Sequence, residues 1–463
     1  MNILEQYINL VERWGDNFDQ KRTLLPAIRL SLGSIGKSKR GTIFQVITFC
    51  GRDQQDWSSD YKFFSRSNWD HQYLFQPVIE ECLHYFKEDY IAIGFDDTKI
   101  NKTGKKIPGT QYHRDPLSPP FHINFMFGIR ELQGSALLPL YNLDQENPTS
   151  SRGIPVLFEN IPVVKKPGKK ATEDEIKNYE AEKKVTNLST YFVKNVKEVR
   201  SRIDQAGGYK KTLIAIGDGS FCNKTVFTAD FDRINILSRC RKDASLCFKE
   251  TGGNPKKFYS SDNFSPEEIR INEKITWEKE NCFIGGKYRA IRYKEIDEVY
   301  WQRGAKRKPL RLFVIAPMPY KVTKNGKTYY KDPAYLLTDN LNIPAQEIIQ
   351  MYIDRWQIEV NNRDEKTILG VGEAQVRNIK SVTKQPAFVI SSYSILMLAS
   401  LASRGTMRTD EYYPLPKWRK SSKRPSCNDL VNALLKEIIL NKEYLRQYGM
   451  FIEPENILGK SVL

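Results

Sequence analysis

Residues 352–366, YIDRWQIEVNNRDEK, have the composition and spacing of a phosphate-handling helix. Pro344 stands at a helix start and no Gly or Pro follows before Gly370, which predicts a single helix beginning at Ala345. One stripe of that helix carries four polar side chains: Tyr352, Arg355, Glu359 and Lys366. A carboxylate between cations can hold a metal ion while the cations hold phosphate oxygens. The alternative interpretation is an amphipathic helix with an ordinary i,i+4 ion pair.

The elements that would position this helix are two apolar runs that end on carboxylates. Residues 90–98, YIAIGFDDT, and residues 212–220, TLIAIGDGS, have the pattern of buried strands. In open α/β sheets, polar groups at strand ends are where sites usually form. Two aspartates and one glutamate from distant segments therefore predict one metal site, and their hard oxygen ligands favour Mg²⁺ or Mn²⁺. Apolar rows flank the stripe on the helix: Ile348, Ile349, Ile353, Trp356 and Val360.

Taken together, these residues resemble a family. The order Asp97, Asp218, Glu359, with Tyr-x-x-Arg-x-x-x-Glu and a lysine seven residues after the glutamate, is similar to bacterial insertion-sequence transposases of the DDE superfamily. The likeness is narrower to the insertion sequence four and insertion sequence seven-hundred-one groups, and it covers residues 90–402. Supporting segments are FDDTKINKTGKK, YHRDPLSPPFH, YIDRWQIE and, more weakly, CGRDQQDWS. Asn362 departs from the pattern, since relatives commonly carry an aromatic residue there.

The resemblance implies a specific site and reaction. Asp97, Asp218 and Glu359 would be both the catalytic residues and the ligands of two Mg²⁺ ions, with Mn²⁺ as a substitute. Asp97 is chosen over Asp96 because the family's aspartate directly precedes the threonine, which leaves Asp96 a structural role. The implied reaction is cleavage of double-stranded DNA at transposon ends and strand transfer into target DNA, by a protein that is a homodimer on DNA. The predicted DNA-binding residues are Tyr352, Arg355, Lys366, Lys102, Trp356 and Arg377.

Two alternatives to a transposase stay open at this stage. One is a metal-dependent nuclease that cleaves without strand transfer. The other is a catalytically silent, transposase-derived DNA-binding protein, against which stands the retention of every triad position. A carboxylate-pair glycosidase is remote, because adjacent aspartates point in different directions from a strand.

Charge and cysteine usage agree with a nucleic-acid partner in a reducing compartment. The 463 residues include 72 Lys+Arg against 55 Asp+Glu, a net charge of +17 that favours a polyanionic partner. Seven scattered cysteines indicate a reducing compartment rather than a disulfide framework. The N-terminus lacks the apolar run of a signal peptide. Residues 387–402 are too short and too serine-rich for a membrane span and predict a buried core helix. We therefore expect a DNA-associated protein of the bacterial cytoplasm with no membrane partner.

The predicted fold class is α/β, a ribonuclease-H-like catalytic core interrupted by a β-rich insertion, with a helical N-terminal domain and a helical C-terminal region. The predicted divisions are 1–89, helical and DNA-binding; 90–238, first part of the core; 239–310, β-rich insertion; 311–402, second part of the core with the signature helix; and 403–463, basic and helical. The 141 residues between Asp218 and Glu359 exceed what one crossover needs, which is the reason for the insertion.

Several basic groups are candidate phosphate contacts, each with a solvated surface as the alternative. The N-terminal set is Lys37, Lys39, Arg40, Arg52 and Arg66; the insertion set is Arg239, Arg241, Lys242, Lys249, Lys256 and Lys257; the tail set is Lys417, Arg419, Lys420, Lys423 and Arg424. A P-loop at residues 36–38 is rejected because Ser31 stands where the motif needs glycine. His113 is expected to be structural, and Trp277 and Trp301 are expected to pack in the core.

Overall fold

A computed structural model describes residues 1–37, 40–115, 118–119, 121–144, 146–251, 257–323, 325–418 and 423–452. The chain begins with short amphipathic helices whose starts follow local capping signals. Asn2 caps the first helix in a reciprocal capping box with Glu5, and Thr42 caps the third by accepting from the Gln45 amide. The helices of this region are α1 Ile3–Glu12, α2 Leu24–Gly36, α3 Ile43–Phe49, α4 Ser58–Ser65 and α5 Gln76–Leu83.

A large mixed sheet forms the centre of the molecule. Its first six strands are β1 Tyr90–Asn101, β2 Gln111–Arg114, β3 Phe125–Leu138, β4 Arg152–Asn160, β5 Thr212–Gly217 and β6 Ile234–Arg239. The later strands are β7 Leu246–Lys249, β8 Tyr259–Phe264, β9 Glu278–Ile284, β10 Lys287–Tyr300, β11 Pro309–Ile315 and β14 Ala334–Thr338. Two further strands, β12 Pro319–Lys321 and β13 Thr328–Tyr330, pair only with each other.

The strand order brings distant segments side by side. The order is β2-β3-β1-β5-β6-β14-β11-β10-β7-β8, with β4 paired to β3 and β9 paired to β10. Strands β1, β5 and β6 run parallel, with Gly94 opposite Ile216, whereas β1, β3 and β4 are antiparallel neighbours. The parallel strands are nearly continuous apolar runs, as expected for strands covered on both faces.

The remaining helices cover the sheet and join its two ends. They are α6 Glu173–Val185, α7 Leu188–Gln205, α8 Lys224–Phe227, α9 Pro266–Ile271, α10 Ala345–Asp354, α11 Trp356–Thr367, α12 Ile379–Arg404, α13 Cys427–Leu440 and α14 Lys442–Leu445. Helix α7 packs on one face of β1, where the Phe95 and Phe192 rings lie 5.2 Å apart. Helix α11 packs on the other face of the same strand.

Helix α12 lies at the centre of the helical layer. It contacts α1, α2, α4, α5 and α13 and packs on β4. Among the described residues it is the single helix long and apolar enough to cross a membrane, and 89% of its most apolar window is buried inside the protein. The prediction of a buried core helix over residues 387–402 is therefore confirmed. One hydrophobic cluster joins the N-terminal helices, the sheet and the C-terminal helices.

The mixed α/β class is confirmed, and several details differ from the sequence-based prediction. The predicted single helix from Ala345 is two helices, α10 and α11, that meet at Arg355. The segment 239–310 contains strands β7 to β10, and these extend the central sheet. Strand β1 continues past the two aspartates to Asn101, so they lie within the strand and not at its end. Trp277 and Trp301 pack against the core as expected.

Candidate active site

The site is built on one face of β1, against helix α11. Side chains alternate along a strand, so Gly94, Asp96 and Thr98 share a face. A Cβ on Gly94 would lie 2.6 Å from Cδ1 of Ile358, so glycine is what lets the helix approach the strand. On the neighbouring strand β3, the Ser135 hydroxyl accepts from Asn361 at 3.2 Å and Gln133 donates to Glu365 at 2.8 Å. These contacts fix α11 over the strand.

Asp96 is the carboxylate of this face. Burial raises its pKa to about 7, the Arg355 guanidinium opposes that rise, and the Asp218 carboxylate adds to it. Asp96 is thus close enough to both residues for their charges to act on it. It also interacts electrostatically with Lys366, whose ammonium donates to the Thr98 hydroxyl at 2.6 Å. One strand face therefore joins the second aspartate to the signature helix.

Asp97 lies on the opposite face of β1. Its Oδ2 accepts from Nε of Arg130 at 2.6 Å, on the side of the sheet that Phe95 shares with α7. Strand alternation therefore places Asp96, rather than Asp97, on the face of β1 that meets Ile358 and Arg355, and the sequence-based choice of Asp97 as the site carboxylate stays a prediction. The threonine that guided the choice, Thr98, sits on the Asp96 face.

Asp218 follows β5 directly, as predicted. Its Oδ1 accepts from the Ser220 amide at 2.8 Å, which fixes the turn after the strand. It borders a cleft of about 840 Å³ that Tyr352 and Arg355 also line. The Asp218 charge acts on Tyr352 as well as on Asp96. The second aspartate and the start of the signature stripe thus meet in one cleft.

The cleft beside Asp218 is basic. Its cationic lining residues are Arg239, Arg241, Lys242, Arg270 and Arg355. Its other acidic residues are Glu267 and Asp332, and Glu267 is compensated within the cleft, since hydrogen bonds from Arg270 and Tyr335 lower its pKa to about 2. Three cations of the predicted insertion set therefore border the candidate site.

Glu359 is linked to the other site residues by its ion pair with Arg355. A guanidinium nitrogen of Arg355 donates to Oε1 of Glu359 at 3.3 Å, and the same guanidinium lies 5.7 Å from the centre of the Tyr352 ring. The Arg355 side chain is 13% exposed, and its Nε is buried without a hydrogen-bond partner in the described part of the chain. A buried donor without an acceptor is costly, and an incoming phosphate oxygen would satisfy it.

Lys102 and Lys37 are not available to DNA. The buried Lys102 ammonium donates to the Gly372 and Ala374 carbonyls at 2.8 and 2.9 Å, and burial lowers its pKa to about 8. Lys37 is also buried, and its ammonium donates to the Leu369 carbonyl at 2.8 Å. Both lysines therefore hold the segment after the signature helix.

Trp356 and Arg377 are on the surface. Trp356, of the apolar rows beside the stripe, is 60% exposed, and its role as a DNA contact stays a prediction. Arg377 is exposed and has no ion pair among the described residues. Arg424 of the tail set is half-buried and donates to Gln357 at 3.2 Å. Lys39, Lys256, Arg419 and Lys420 lie outside the described residues.

His113 has the structural place expected of it. It lies in β2, where burial lowers its pKa, and its neighbour Lys99 adds to that effect. The seven cysteines are all free, and six of them are buried. Neither observation indicates acid–base or thiol chemistry at these positions.

Carboxylate oxygens suit a hard divalent cation, but these carboxylates do not lie close enough together to form a complete metal site. Within the described ranges, no group of three His, Cys, Asp or Glu side chains is placed to hold a metal ion. The Asp218 carboxylate nevertheless contributes to the raised pKa of Asp96, and a divalent cation between the two side chains would remove that repulsion. Glu359 would have to leave Arg355 to become a third ligand.

Sequence reasoning missed two contributors to the site. Arg270 and Tyr335 reach the cleft from α9 and β14, which are far from Asp218 in sequence. The signal that could have marked Arg270 is the capping box that starts α9 at Ser265, since it places Glu267 and Arg270 on one face.

No family model matches this chain, and a search of the curated proteins found no significant match.

Proposed function

We propose that this protein is a metal-dependent DNA transposase that cleaves at transposon ends and transfers the strand into target DNA. One observation carries the proposal. Asp218 and Arg355, which border a basic cleft, both act electrostatically on Asp96 of the adjacent parallel strand. A phosphodiester needs carboxylates for metal ions and cations for its oxygens, and both lie together here.

A ribonuclease-H-like core is the second part of the proposal. It comprises the neighbouring strands β4-β3-β1-β5-β6 with α7 and α11 on opposite faces of β1. In this order three antiparallel strands adjoin two parallel ones, so a carboxylate within β1 and one directly after β5 fall side by side. The glutamate then arrives on a helix from a later part of the chain, in agreement with the order of the three acids in the sequence.

Each site residue has a distinct role in the proposed reaction. Asp96 and Asp218 would hold Mg²⁺, with Glu359 as the third carboxylate once Arg355 has released it. Mg²⁺ supplies charge neutralisation at the scissile phosphate and activation of the attacking oxygen. Arg355, whose Nε lacks an acceptor, binds a phosphate oxygen, and Tyr352 lines the same cleft. Lys366 adds positive charge on the Asp96 face.

The reaction consists of two in-line displacements at phosphorus. In the first, a water oxygen bonds to the phosphorus and the bond to the 3′ oxygen breaks, which leaves a free 3′-hydroxyl. In the second, that 3′ oxygen loses its proton and bonds to the phosphorus of a target phosphodiester, while the bond from that phosphorus to the target's own 3′ oxygen breaks and the released oxygen takes up a proton as a 3′-hydroxyl. The chain's contribution is to position the two DNA strands and stabilise the added negative charge.

DNA would lie along the basic cleft. Arg239, Arg241 and Lys242 follow β6, and Arg270 faces them from α9. Exposed Trp356 stands next to Arg355 at the start of α11, where it can contact a base or sugar. Such an arrangement positions the backbone without reading sequence, which is the usual division of labour in DNA-binding proteins.

Cleavage of a labelled duplex that carries the DNA flanking the protein's own gene tests the proposal. We expect cuts at the element ends with Mg²⁺, none with EDTA, and none by Asp218→Ala. Asp232→Ala is the matched control, since this aspartate is 81% exposed and pairs with Arg233 away from the cleft. Addition of target DNA separates a transposase, which forms joined products, from a nuclease, which does not. Binding without any cut, or cutting that persists in Asp218→Ala, would contradict the three-carboxylate site.

A further inference from the structure

The two-stranded sheet of β12 and β13 stands apart from the rest of the fold. Its strands pair with Tyr320 opposite Tyr329 and Lys321 opposite Thr328, and every residue of both strands is exposed. We refer to these strands and Lys331 as the hairpin arm. An isolated hairpin is marginally stable in water.

The hairpin arm combines aromatic rings with unpaired cations. Tyr320 and Tyr329 lie 5.7 Å apart between ring centres and are 42% and 45% exposed, while Tyr330 is 67% exposed. Lys321 and Lys331 of the arm are exposed, and neither has an ion pair among the described residues. The adjoining Lys327 is likewise exposed. Aromatic faces beside lysines form the surface on which proteins bind unpaired nucleotides.

The arm rises from the edge of the candidate active site. Met318 and Lys331, at its two ends, line a cavity of about 390 Å³ together with Tyr352, Arg355 and Trp356. Asp332, next to Lys331, lines both this cavity and the basic cleft. A DNA strand in the cleft would therefore pass the base of the arm, where Lys331 lies next to Asp332.

We propose that the hairpin arm binds unpaired nucleotides of a DNA strand that leaves the basic cleft. Its tyrosines stack on the bases, and Lys321, Lys327 and Lys331 contact the phosphates. This inference rests on the proposed function, since it takes DNA as the occupant of the cleft. The three lysines and the position of the arm beside the cleft favour a nucleic acid over a protein partner, because phosphates complement the positive charge of the lysines.

The test compares the binding of a blunt duplex and of the same duplex with a single-stranded oligothymidine overhang, by fluorescence anisotropy. We expect the wild type to bind the overhang substrate more tightly. The double variant Tyr320→Ala/Tyr329→Ala should lose roughly tenfold of affinity for the overhang substrate and little for the blunt one. The triple variant Lys321→Ala/Lys327→Ala/Lys331→Ala should lower the salt slope of overhang binding by about 2, because each single-strand phosphate contact contributes about 0.7.

A matched control uses three other exposed lysines. Helix α6 has no buried residue, and its variant Lys177→Ala/Lys183→Ala/Lys184→Ala removes the same charge at another place. This control should keep both the affinity and the salt slope of the wild type. As a second measurement, overhang DNA should protect the arm from trypsin at Lys321 and Lys331, and blunt DNA should not.

The possible outcomes distinguish failure of the hairpin-arm proposal from failure of the proposed function. If the wild type binds DNA but the tyrosine and lysine variants match it on both substrates, the arm proposal is overturned and the proposed function stands. If the α6 control loses as much as the arm variant, the effect is general charge and the arm proposal is again overturned. If the wild type binds neither substrate, both proposals fall.

Discussion

Single substitutions of the adjacent aspartates Asp96 and Asp97 test which face of β1 carries the active site. Asp96→Asn and Asp97→Asn remove the same charge from neighbouring residues, yet we expect opposite results. Asp96 acts electrostatically on Asp218 and Arg355, whereas Asp97 binds Arg130 on the other side of the sheet. Only Asp96→Asn should abolish Mg²⁺-dependent cleavage of DNA.

The expected magnitudes follow from these surroundings. Loss of a metal-ligating carboxylate removes several kcal/mol of transition-state stabilisation, so Asp96→Asn should slow cleavage by about 10²- to 10⁴-fold. Asp97 and Arg130 side chains are 16% and 31% exposed, which makes theirs a partly solvated pair. Its loss should cost about 1 kcal/mol of stability, with cleavage reduced by less than about threefold.

Thermal unfolding with and without Mg²⁺ gives a readout that does not depend on cleavage. A ligand at ten times its Kd stabilises the folded state by about 1.4 kcal/mol, through RT ln(1 + [L]/Kd). Wild type and Asp97→Asn should show this Mg²⁺-dependent rise in Tm, and Asp96→Asn should not. Asp232→Asn, at the exposed aspartate away from the cleft, is the control for a general charge effect.

The reverse pattern would refute the assignment. If Asp97→Asn loses both cleavage and the Mg²⁺ effect while Asp96→Asn keeps them, the strand face inferred for the site is wrong. Equal losses in both variants would point to disturbance of β1 as a whole, and circular dichroism of the two variants would then decide between folding and chemistry.

Three further predictions concern single side chains around the site. Burial raises the pKa of Glu365 to about 8, so the folded state holds this proton more tightly than the unfolded chain does. The free energy of unfolding should therefore fall as pH rises from about 4.5 to 8. In urea titrations, Glu365→Gln should show a flatter dependence of stability on pH and, at pH 8, a gain in stability on the order of 3 kcal/mol. Lys102→Met should lower Tm, because two carbonyls lose their donor, yet leave DNA affinity by anisotropy within about twofold. Trp356→Ala should weaken DNA binding roughly tenfold with Tm unchanged, since the ring is 60% exposed; an unchanged affinity would remove Trp356 from the interface.

The sequence predicted which segments form the site better than it predicted which face of each strand lies toward the site. Asp218 was placed correctly after β5, because a short apolar run ending in Gly-Asp-Gly has few other interpretations. For Asp96 and Asp97, alternation guarantees opposite faces but does not tell which face the signature helix covers. That choice depends on Gly94 and Ile358, whose contact joins segments far apart in the chain.

Lysines illustrate a second limit of sequence reasoning. Lys102 follows a strand in a glycine-containing turn, a setting typical of surface loops, and its burial depends on carbonyls at Gly372 and Ala374. A charge count cannot distinguish an ammonium that caps backbone carbonyls from one in solvent. The same reason explains Lys37, and it reduces the basic surface that the net charge alone suggests.

Arg355 connects the metal and DNA halves of the proposed site. Its guanidinium pairs with Glu359 and opposes the rise that burial causes in the pKa of Asp96. A divalent ion would take over both tasks and free Arg355 for phosphate, so the two ligands should each favour binding of the other.

Arg355→Met should therefore change the two affinities in opposite directions. Removal of a cation next to carboxylates strengthens Mg²⁺ binding in the absence of DNA, by several-fold at the effective dielectric of a protein edge. Removal of a buried donor with no acceptor of its own weakens DNA binding, by roughly tenfold for a charge-assisted hydrogen bond. Calorimetry with Mg²⁺ and anisotropy with DNA measure the two separately. A fall in both affinities would mean that Arg355 supports the fold of the α10–α11 junction rather than exchanging partners within the site.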